Sequence, residues 1–198
     1  MGAGSWKKQV PVEKVIDFAR KAHACNPELP IISVGSGNGY TENELSKCGG
    51  MQVICVDPKP GAWKDEEELK LYKDADYPTV QVMLREKPEL KGSHLLLIWP
   101  SPDLEYSIEA IELLEPTTCT ILFEKTGVAG CKRLQQWIAN SCGSTYVCEP
   151  IAPTKHLSVG SFSKTHIVSI DEFHYCLELF VRKGMGFTAE KIGIKSES

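Results

Sequence analysis

The chain has 198 residues, a length that suits one domain with its own hydrophobic core. Its formal net charge of −4 and its pI of about 5.8 provide no overall basic surface, so nucleic acid is not favoured as a partner. No apolar run reaches membrane-spanning length and the first residues lack a signal-peptide core, so no membrane partner is expected. We therefore predict a single domain over residues 1–198, with flexible ends at 1–10 and 184–198.

Eight cysteines raise the question of disulfides or a metal site. The chain has no C-x-x-C pair, so the cysteine spacing does not predict zinc, and we expect no metal. Cys48, Cys55 and Cys119 fall within apolar elements, where reduced cysteines act as small hydrophobic side chains. This usage predicts a reducing, cytoplasmic location.

The first part of the chain alternates helices and strands. A helix is predicted from Pro11 to about residue 26, because apolar residues recur there at spacings of three and four. Ile31–Val34 and Val53–Val56 are short apolar runs typical of buried parallel strands. A second helix, beginning near Thr41, is expected between these two strands.

A glycine turn (residues 35–39) joins the first strand to that second helix. Gly35, Gly37 and Gly39 stand on alternate positions, so the backbone can take positive φ and approach a ligand closely. The N-terminus of the following helix favours a carboxylate or phosphate. Asp57 ends the second strand, where an acid can accept hydrogen bonds from ribose hydroxyls. Residues 31–58 are therefore interpreted as one nucleotide-binding unit.

The later elements extend the alternation. Strands are expected at 79–84, at 94–98 and at 120–124, with helices at 104–114 and 129–140. Such an order predicts a parallel sheet covered by helices on both faces. Further strands at 145–151, 166–170 and 173–182 have no long helix between them, so two closing strands are expected to pair antiparallel.

The glycine turn and its flanks resemble a known family. The segment Ser33-Val34-Gly35-Ser36-Gly37-Asn38-Gly39 is similar to the glycine-rich motif of class I, Rossmann-like S-adenosylmethionine-dependent methyltransferases. The resemblance to this family covers nearly the whole chain. The run LLLIWPSP and the strand ending in Glu124 resemble a poorly characterised methyltransferase-like branch. The resemblance implies a three-layer α/β fold with a sheet of about seven strands, mostly parallel with an antiparallel C-terminal strand pair, and helices on both faces.

The resemblance also implies a cofactor and the residues that bind it. S-adenosylmethionine would be the cofactor, with S-adenosylhomocysteine as its product. The implied cofactor-binding residues are Ser33, Gly35, Ser36, Gly37, Asn38, Gly39, Asp57, Pro58 and Trp99. Asp57 matches the family's ribose-binding acid, whereas Ser33 stands where the family usually has an acid.

The methyl acceptor is not specified by the sequence. Amino-group methyltransferases hold the target nitrogen with an Asn or Asp after the fourth strand, where this chain has Trp99, which offers only an N–H donor. Methylation of an amino group on nucleic acid or protein is therefore disfavoured. Among acceptors in general, a small molecule or a protein is expected rather than nucleic acid. Trp63 and Trp99 offer stacking faces for adenine or substrate, although plain packing explains them equally well.

Catalytic residues are harder to predict, since methyl transfer to a nucleophilic atom needs positioning more than an acid or base. Weak candidates are Ser101, Asp103, Glu124 and His156, each of which also has a structural explanation. Two other functions stay open. One is a catalytically inactive binding module with a protein partner; the other is a nicotinamide-dependent oxidoreductase, disfavoured because Tyr40 occupies the place of the third glycine in G-x-G-x-x-G.

Overall fold

In a computed structural model of the chain, the described residues are 12–48, 50–58, 70–101, 103–124, 130–141, 146–149, 166–170 and 173–182. The helices are α1 (Val12–Cys25), α2 (Tyr40–Lys47), α3 (Val80–Glu86), α4 (Tyr106–Leu114) and α5 (Lys132–Ser141), with a 3-10 turn at Pro88–Leu90. The strands are β1 (Ile31–Val34), β2 (Val53–Val56), β3 (His94–Ile98), β4 (Thr118–Glu124), β5 (Tyr146–Glu149), β6 (His166–Ile170) and β7 (Phe173–Arg182). The predicted flexible ends lie outside these residues.

Four strands form a parallel sheet in the order β2-β1-β3-β4. Ile31 on β1 is in register with Val53 on one side and His94 on the other. The residues of β1 and β2 are all buried, which explains why these strands are apolar except for Ser33. The predicted α/β fold with a parallel sheet is confirmed.

The remaining strands lie beyond β4. The backbone of β7 runs opposite to β4, from the pair Thr118 and Val181 to the pair Glu124 and Tyr175. Strands β5 and β6 each run opposite to β7. Because a single long strand contacts three others, β7 organises this side of the sheet.

Helices cover both faces of the parallel sheet. Helices α1 and α2 pack on one face, where Phe18 and Leu45 join a cluster with Ile31 of β1. Helices α3, α4 and α5 pack on the other face around Ile32 and Val34. Successive side chains of β1 therefore point to opposite faces, as strand geometry requires.

The predicted strand at 79–84 is wrong, because this segment is helix α3. The Thr79 hydroxyl accepts a hydrogen bond from the Val82 N–H at 3.2 Å and so caps the helix. Val80 and Met83, three positions apart, are the buried residues of α3. The alternating apolar residues resembled a strand, but the cap and the burial of Met83 select the helix. A single parallel bridge joins Val56 to Tyr77, two residues before the predicted segment.

The described residues also bear on the cysteine and membrane predictions. Five cysteines whose side chains are described are free thiols: Cys25, Cys48, Cys55, Cys119 and Cys131. Within the described part, His, Cys, Asp and Glu side chains do not gather in groups of three or more that could hold a metal ion. The described helices are all too short or too polar to cross a membrane.

Candidate functional site

The glycine turn lies where the order of the parallel strands reverses. The chain crosses from β1 to β2 in one direction, whereas β3 and β4 lie on the other side of β1. The turn follows β1, and residues 99–101 follow β3, so both segments meet at the carboxyl edge of neighbouring strands. Parallel α/β sheets bind ligands in the crevice at this position.

The three glycines of the turn have different surroundings. All have positive φ values, 77° for Gly35, 59° for Gly37 and 69° for Gly39. A Cβ on Gly35 would lie 2.7 Å from the Tyr106 hydroxyl, and one on Gly39 would lie 2.5 Å from the Lys73 carbonyl oxygen. A Cβ on Gly37 would meet no described heavy atom within 4 Å. Gly35 and Gly39 thus allow close protein packing, and Gly37 is the glycine that faces open space.

Asn38 fixes the outer part of the turn. Its side-chain Oδ1 accepts a hydrogen bond from the Tyr40 N–H at 3.2 Å, at the start of α2. Its carbonyl oxygen accepts from the Tyr72 N–H at 2.8 Å and from the Lys73 N–H at 3.4 Å. The turn is therefore tied to the backbone of residues 72–73, which explains why Gly39 has no room for a side chain.

Asp57 reaches the middle of the turn from the end of β2. Its Oδ2 accepts a hydrogen bond from the Gly37 N–H at 2.8 Å. The residue is half-buried, and the following Pro58 is exposed. The structure therefore brings Asp57 and Gly37 together, as the sequence predicts, and the cofactor-binding role of both stays a prediction.

Ser33 is enclosed and contacts a carboxyl group that the sequence reasoning missed. Its hydroxyl, in a residue only 1% exposed, donates to Glu42 Oε1 at 2.6 Å. Glu42 is itself 2% exposed, and burial raises the pKa of its carboxyl, opposed by the Ser33 hydrogen bond and by the charge of Lys73. The sequence feature that could have predicted the burial of Glu42 is its position three residues before the apolar Leu45, on the same helix face.

Ser36 is a second unusual residue of the turn. Its hydroxyl oxygen is buried and has no hydrogen-bond partner among the described residues. A buried hydroxyl without a partner costs about 1–3 kcal/mol, so such an atom calls for a partner such as water or a ligand. Ser36 precedes Gly37, the open position of the turn, so the turn fits a bound group at this place.

Tyr106 bridges the ends of β1 and β3. Its ring packs against Gly35, and its hydroxyl oxygen accepts a hydrogen bond from the Ser101 N–H at 3.1 Å. Burial raises the pKa of Tyr106, and the nearby charge of Asp57 also raises it. The sequence signal was weak, since Tyr106 is simply the first residue of α4 after the Trp99-Pro100-Ser101 segment.

The other predicted site residues do not belong to the glycine turn. Trp99 has a φ of 56°, donates its backbone N–H to Leu122 O at 2.9 Å and packs against the α1 side of the core. Ser101 Oγ accepts from the Asp103 N–H at 3.4 Å, and Asp103 is exposed. Glu124 ends β4 in register with Tyr175. Trp63 and His156 lie outside the described residues.

Comparison with known proteins identifies the fold. No protein-family model matches the chain, and no curated protein matches its sequence. The methyltransferase domain of bacterial CtHen1 is similar in structure, with a TM-score of 0.54 and 14% identity over 86% of this chain and 96% of that chain. An uncharacterized protein from Listeria monocytogenes serotype 4b has a TM-score of 0.51 and 13% identity, over 92% of this chain and 72% of that chain.

These similarities define the class of fold. The α/β architecture is that of the class I methyltransferase fold. A third structure, TrmK from M. capricolum with S-adenosylhomocysteine, has a TM-score of 0.47 and 11% identity over 89% of this chain and 74% of that chain. At 14% and 13% identity, the similarity to the CtHen1 domain and to the Listeria protein shows the fold alone.

Proposed function

We propose that the chain is a methyltransferase-like protein that binds S-adenosylmethionine at the glycine turn. The observation that carries this proposal is the contact of the Asp57 carboxylate with the Gly37 N–H at 2.8 Å, at the strand reversal and beside the open position of Gly37. A carboxylate at the end of the second strand is suited to accept hydrogen bonds from both hydroxyls of a ribose.

The surroundings divide the predicted cofactor-binding residues into two groups. Ser36, Gly37, Asn38 and Asp57 lie at the open part of the turn and are the residues that we assign to the cofactor. Gly35 and Gly39 support the turn by allowing Tyr106 and Lys73 to pack against it. For Ser33 we infer an indirect role through Glu42. Contacts of Pro58 and Trp99 with the cofactor remain part of the proposal.

Charge favours S-adenosylmethionine over a nicotinamide dinucleotide at this turn. The diphosphate of a dinucleotide needs free backbone N–H groups, and the Gly37 N–H is already bound by Asp57. The buried Glu42 adds a second acidic group near Asp57. A ligand that carries a sulfonium is attracted to these carboxylates, whereas a diphosphate is repelled.

For the reaction itself, we infer a positioning mechanism. When bound, S-adenosylmethionine supplies an electrophilic methyl group, and transfer requires an acceptor atom in line with it. We infer that Ser101, after β3, and Tyr106, at the start of α4, orient an acceptor; the Ser101 N–H donates to the Tyr106 hydroxyl. We propose a small molecule or a protein as the acceptor, in keeping with the acidic net charge of −4.

The proposal extends to the whole sheet and to the cell compartment. The registers of β7 with β4 and with β5 support a sheet of about seven strands with an antiparallel C-terminal pair. A cytoplasmic location is supported by the five cysteines whose side chains are described, which are free thiols.

A catalytically inactive binding module is the second candidate. It is favoured by the arrangement at Ser101, whose hydroxyl oxygen accepts from the Asp103 N–H while the Asp103 residue is exposed. These two catalytic candidates therefore do not form an acid and base pair. Such a module would bind S-adenosylmethionine without transferring its methyl group and would act through a protein partner.

The test is a ligand titration of the whole chain by calorimetry and thermal unfolding. A ligand at a hundredfold excess over its Kd stabilises the fold by about 2.7 kcal/mol. We expect S-adenosylmethionine and S-adenosylhomocysteine to stabilise the protein and NAD to have no effect. If neither sulfur ligand binds, the proposed function is wrong; stabilisation by NAD alone would support the oxidoreductase instead.

Asp57→Ala is the companion variant. Loss of hydrogen bonds to a charged group weakens binding by about tenfold or more, and the fold should persist because Asp57 is only half-buried. Asp74→Ala removes an exposed carboxylate from the neighbouring segment and serves as the matched control. Equal affinity in all three proteins would remove Asp57 from the site. Methyl transfer to an acceptor then separates an enzyme from a binding module.

A further inference from the structure

Glu42 is a carboxyl group enclosed beside the glycine turn. It belongs to α2, three positions after Gly39, and its Oε1 accepts from the Ser33 hydroxyl at 2.6 Å, near the end of β1. The contact closes the segment 33–42, which contains all three glycines of the turn. An amide or a hydroxyl at position 42 could also accept a hydrogen bond from Ser33, so the hydrogen bond alone does not require a carboxylate.

The charged groups around Glu42 leave an excess of negative charge. Asp57 faces it from β2 as a second carboxylate, and Lys73 faces it from the segment that precedes α3. Cys55 also faces it from β2, but burial raises the pKa of this thiol to about 12, so it stays neutral. The Lys73 ammonium donates to the Val53 carbonyl at 2.6 Å and lies 3.9 Å from Asp76, so Glu42 shares this cation with other acceptors. The charge of Asp57, which itself contacts Gly37, helps to raise the pKa of Glu42.

We propose that Glu42 is a specificity-determining residue: its buried carboxylate favours a ligand that brings a positive charge to the open side of Gly37. This inference rests on the proposed function. S-adenosylmethionine carries a sulfonium, and S-adenosylhomocysteine has the same adenosine and amino-acid groups around a neutral sulfur. Glu42 therefore makes the site prefer the cofactor over its product, which also favours release of the product.

The physical basis is the cost of a buried charge. Burial disfavours ionised Glu42, and the Ser33 hydroxyl and Lys73 only partly compensate. A cation that enters the site stabilises the ionised carboxylate, and the interaction is stronger in a protein interior than in water. Binding of the sulfonium ligand is therefore linked to loss of the Glu42 proton. Its affinity should rise with pH above the ordinary glutamate range, because the pKa of Glu42 is raised.

Glu42→Gln tests the charge and keeps the shape. The amide oxygen can still accept from Ser33, but the side chain can no longer ionise. We expect the ratio of S-adenosylmethionine affinity to S-adenosylhomocysteine affinity, measured by calorimetry at neutral pH, to fall by about tenfold. Glu44→Gln is the matched control, because it removes one carboxylate from the same helix at a partly exposed site paired with Lys47. Its ratio should equal that of the unaltered protein.

Proton release by the unaltered protein gives an independent measurement. Titrations at mildly acidic pH, in buffers of different ionisation enthalpy, report the protons released when each ligand binds. We expect more protons released with S-adenosylmethionine than with S-adenosylhomocysteine. Their shared amino-acid group cancels in the comparison, and this measurement decides the matter if Glu42→Gln fails to fold.

The outcomes separate the two proposals. If the unaltered protein binds neither ligand, the proposed function fails. If it binds both, and Glu42→Gln leaves the affinity ratio unchanged or weakens both ligands equally, Glu42 only holds the turn in shape and the specificity role is overturned. Equal proton release with the two ligands overturns it as well.

Discussion

A buried titratable side chain lies at each end of the parallel strands, and the surroundings of the two side chains differ. At the amino edge, His94 of β3 is 1% exposed and both ring nitrogens are hydrogen-bonded, Nδ1 to Thr118 Oγ1 at 2.8 Å and Nε2 to Asn26 O at 2.9 Å. At the carboxyl edge, Glu42 is equally buried but adjoins a turn with open space at Gly37. One edge is closed by its own hydrogen bonds, and the other retains polar groups that suit a ligand.

The glycines of the turn offer the strongest test of this difference. Gly39→Ala should lower the free energy of unfolding by about 4 kcal/mol, because the new Cβ would meet the Lys73 backbone at 2.5 Å and the residue has positive φ. Gly37→Ala should cost about 1 kcal/mol, from the backbone conformation alone. Ligand titration should then show that Gly37→Ala, the milder change for stability, weakens S-adenosylmethionine binding. Similar losses of stability in the two variants would contradict the distinction.

The pH dependence of stability should differ in sign between the two edges. Burial lowers the pKa of His94 from 6.5 to about 4. Above pH 6.5 the ring is neutral in both states; between pH 6.5 and about 4 the unfolded chain takes up a proton that the folded chain does not. Stability should fall over this window by on the order of 3 kcal/mol. Denaturant titrations at several pH values measure the slope.

The contribution of Glu42 to the pH dependence of stability has the opposite sign, because burial raises the pKa of its carboxyl group. As pH rises from the ordinary glutamate range, the unfolded chain loses this proton first, so ionisation of Glu42 lowers the stability of the fold. His94→Gln should remove the loss of stability on acidification, and Glu42→Gln should remove the opposing contribution. A pH profile left unaltered by His94→Gln would show that the ring is not responsible.

Tyr106→Phe should produce the smallest of these effects. The ring stays against Gly35, but the hydrogen bond from the Ser101 N–H is lost, at a cost of about 1 kcal/mol in the free energy of unfolding. If Tyr106 orients an acceptor, methyl transfer should fall by more than stability does. Chemical denaturation measures the loss of stability of the variant, and a methyl-transfer assay measures its loss of activity. If the variant and the unaltered protein behave equally in both assays, Tyr106 does not orient the acceptor.

The sequence predicted the local features well. Ile31–Val34, apart from Ser33, and Val53–Val56 are short apolar runs, and α1 has a regular apolar stripe. Their strand and helix structures therefore follow from short-range patterns. The prediction of a strand at 79–84 was wrong. Val80, Val82 and Leu84 alternate as in a strand, whereas the Thr79 cap and the buried Met83 favour a helix.

The site was predictable only in part. Alternate glycines and Asp57 at a strand end marked the turn, but their different roles depend on Tyr106 and Lys73, which are distant in sequence. Glu42 was overlooked because a glutamate in the first turn of a helix is usually exposed and favourable to the helix dipole. Which side chains meet across the ends of strands depends on packing, and local patterns do not contain that information.

The connection between Pro58 and Lys70 begins and ends beside the glycine turn. Asp57 donates its N–H to the Tyr77 carbonyl at 3.1 Å, and the Tyr72 N–H donates to Asn38 at 2.8 Å, so both ends are anchored within the described residues. Lengthening a connection between fixed ends costs little closure entropy, about 0.6 kcal/mol per doubling. Insertions between residues 58 and 70 are thus expected to leave the parallel sheet and the turn intact.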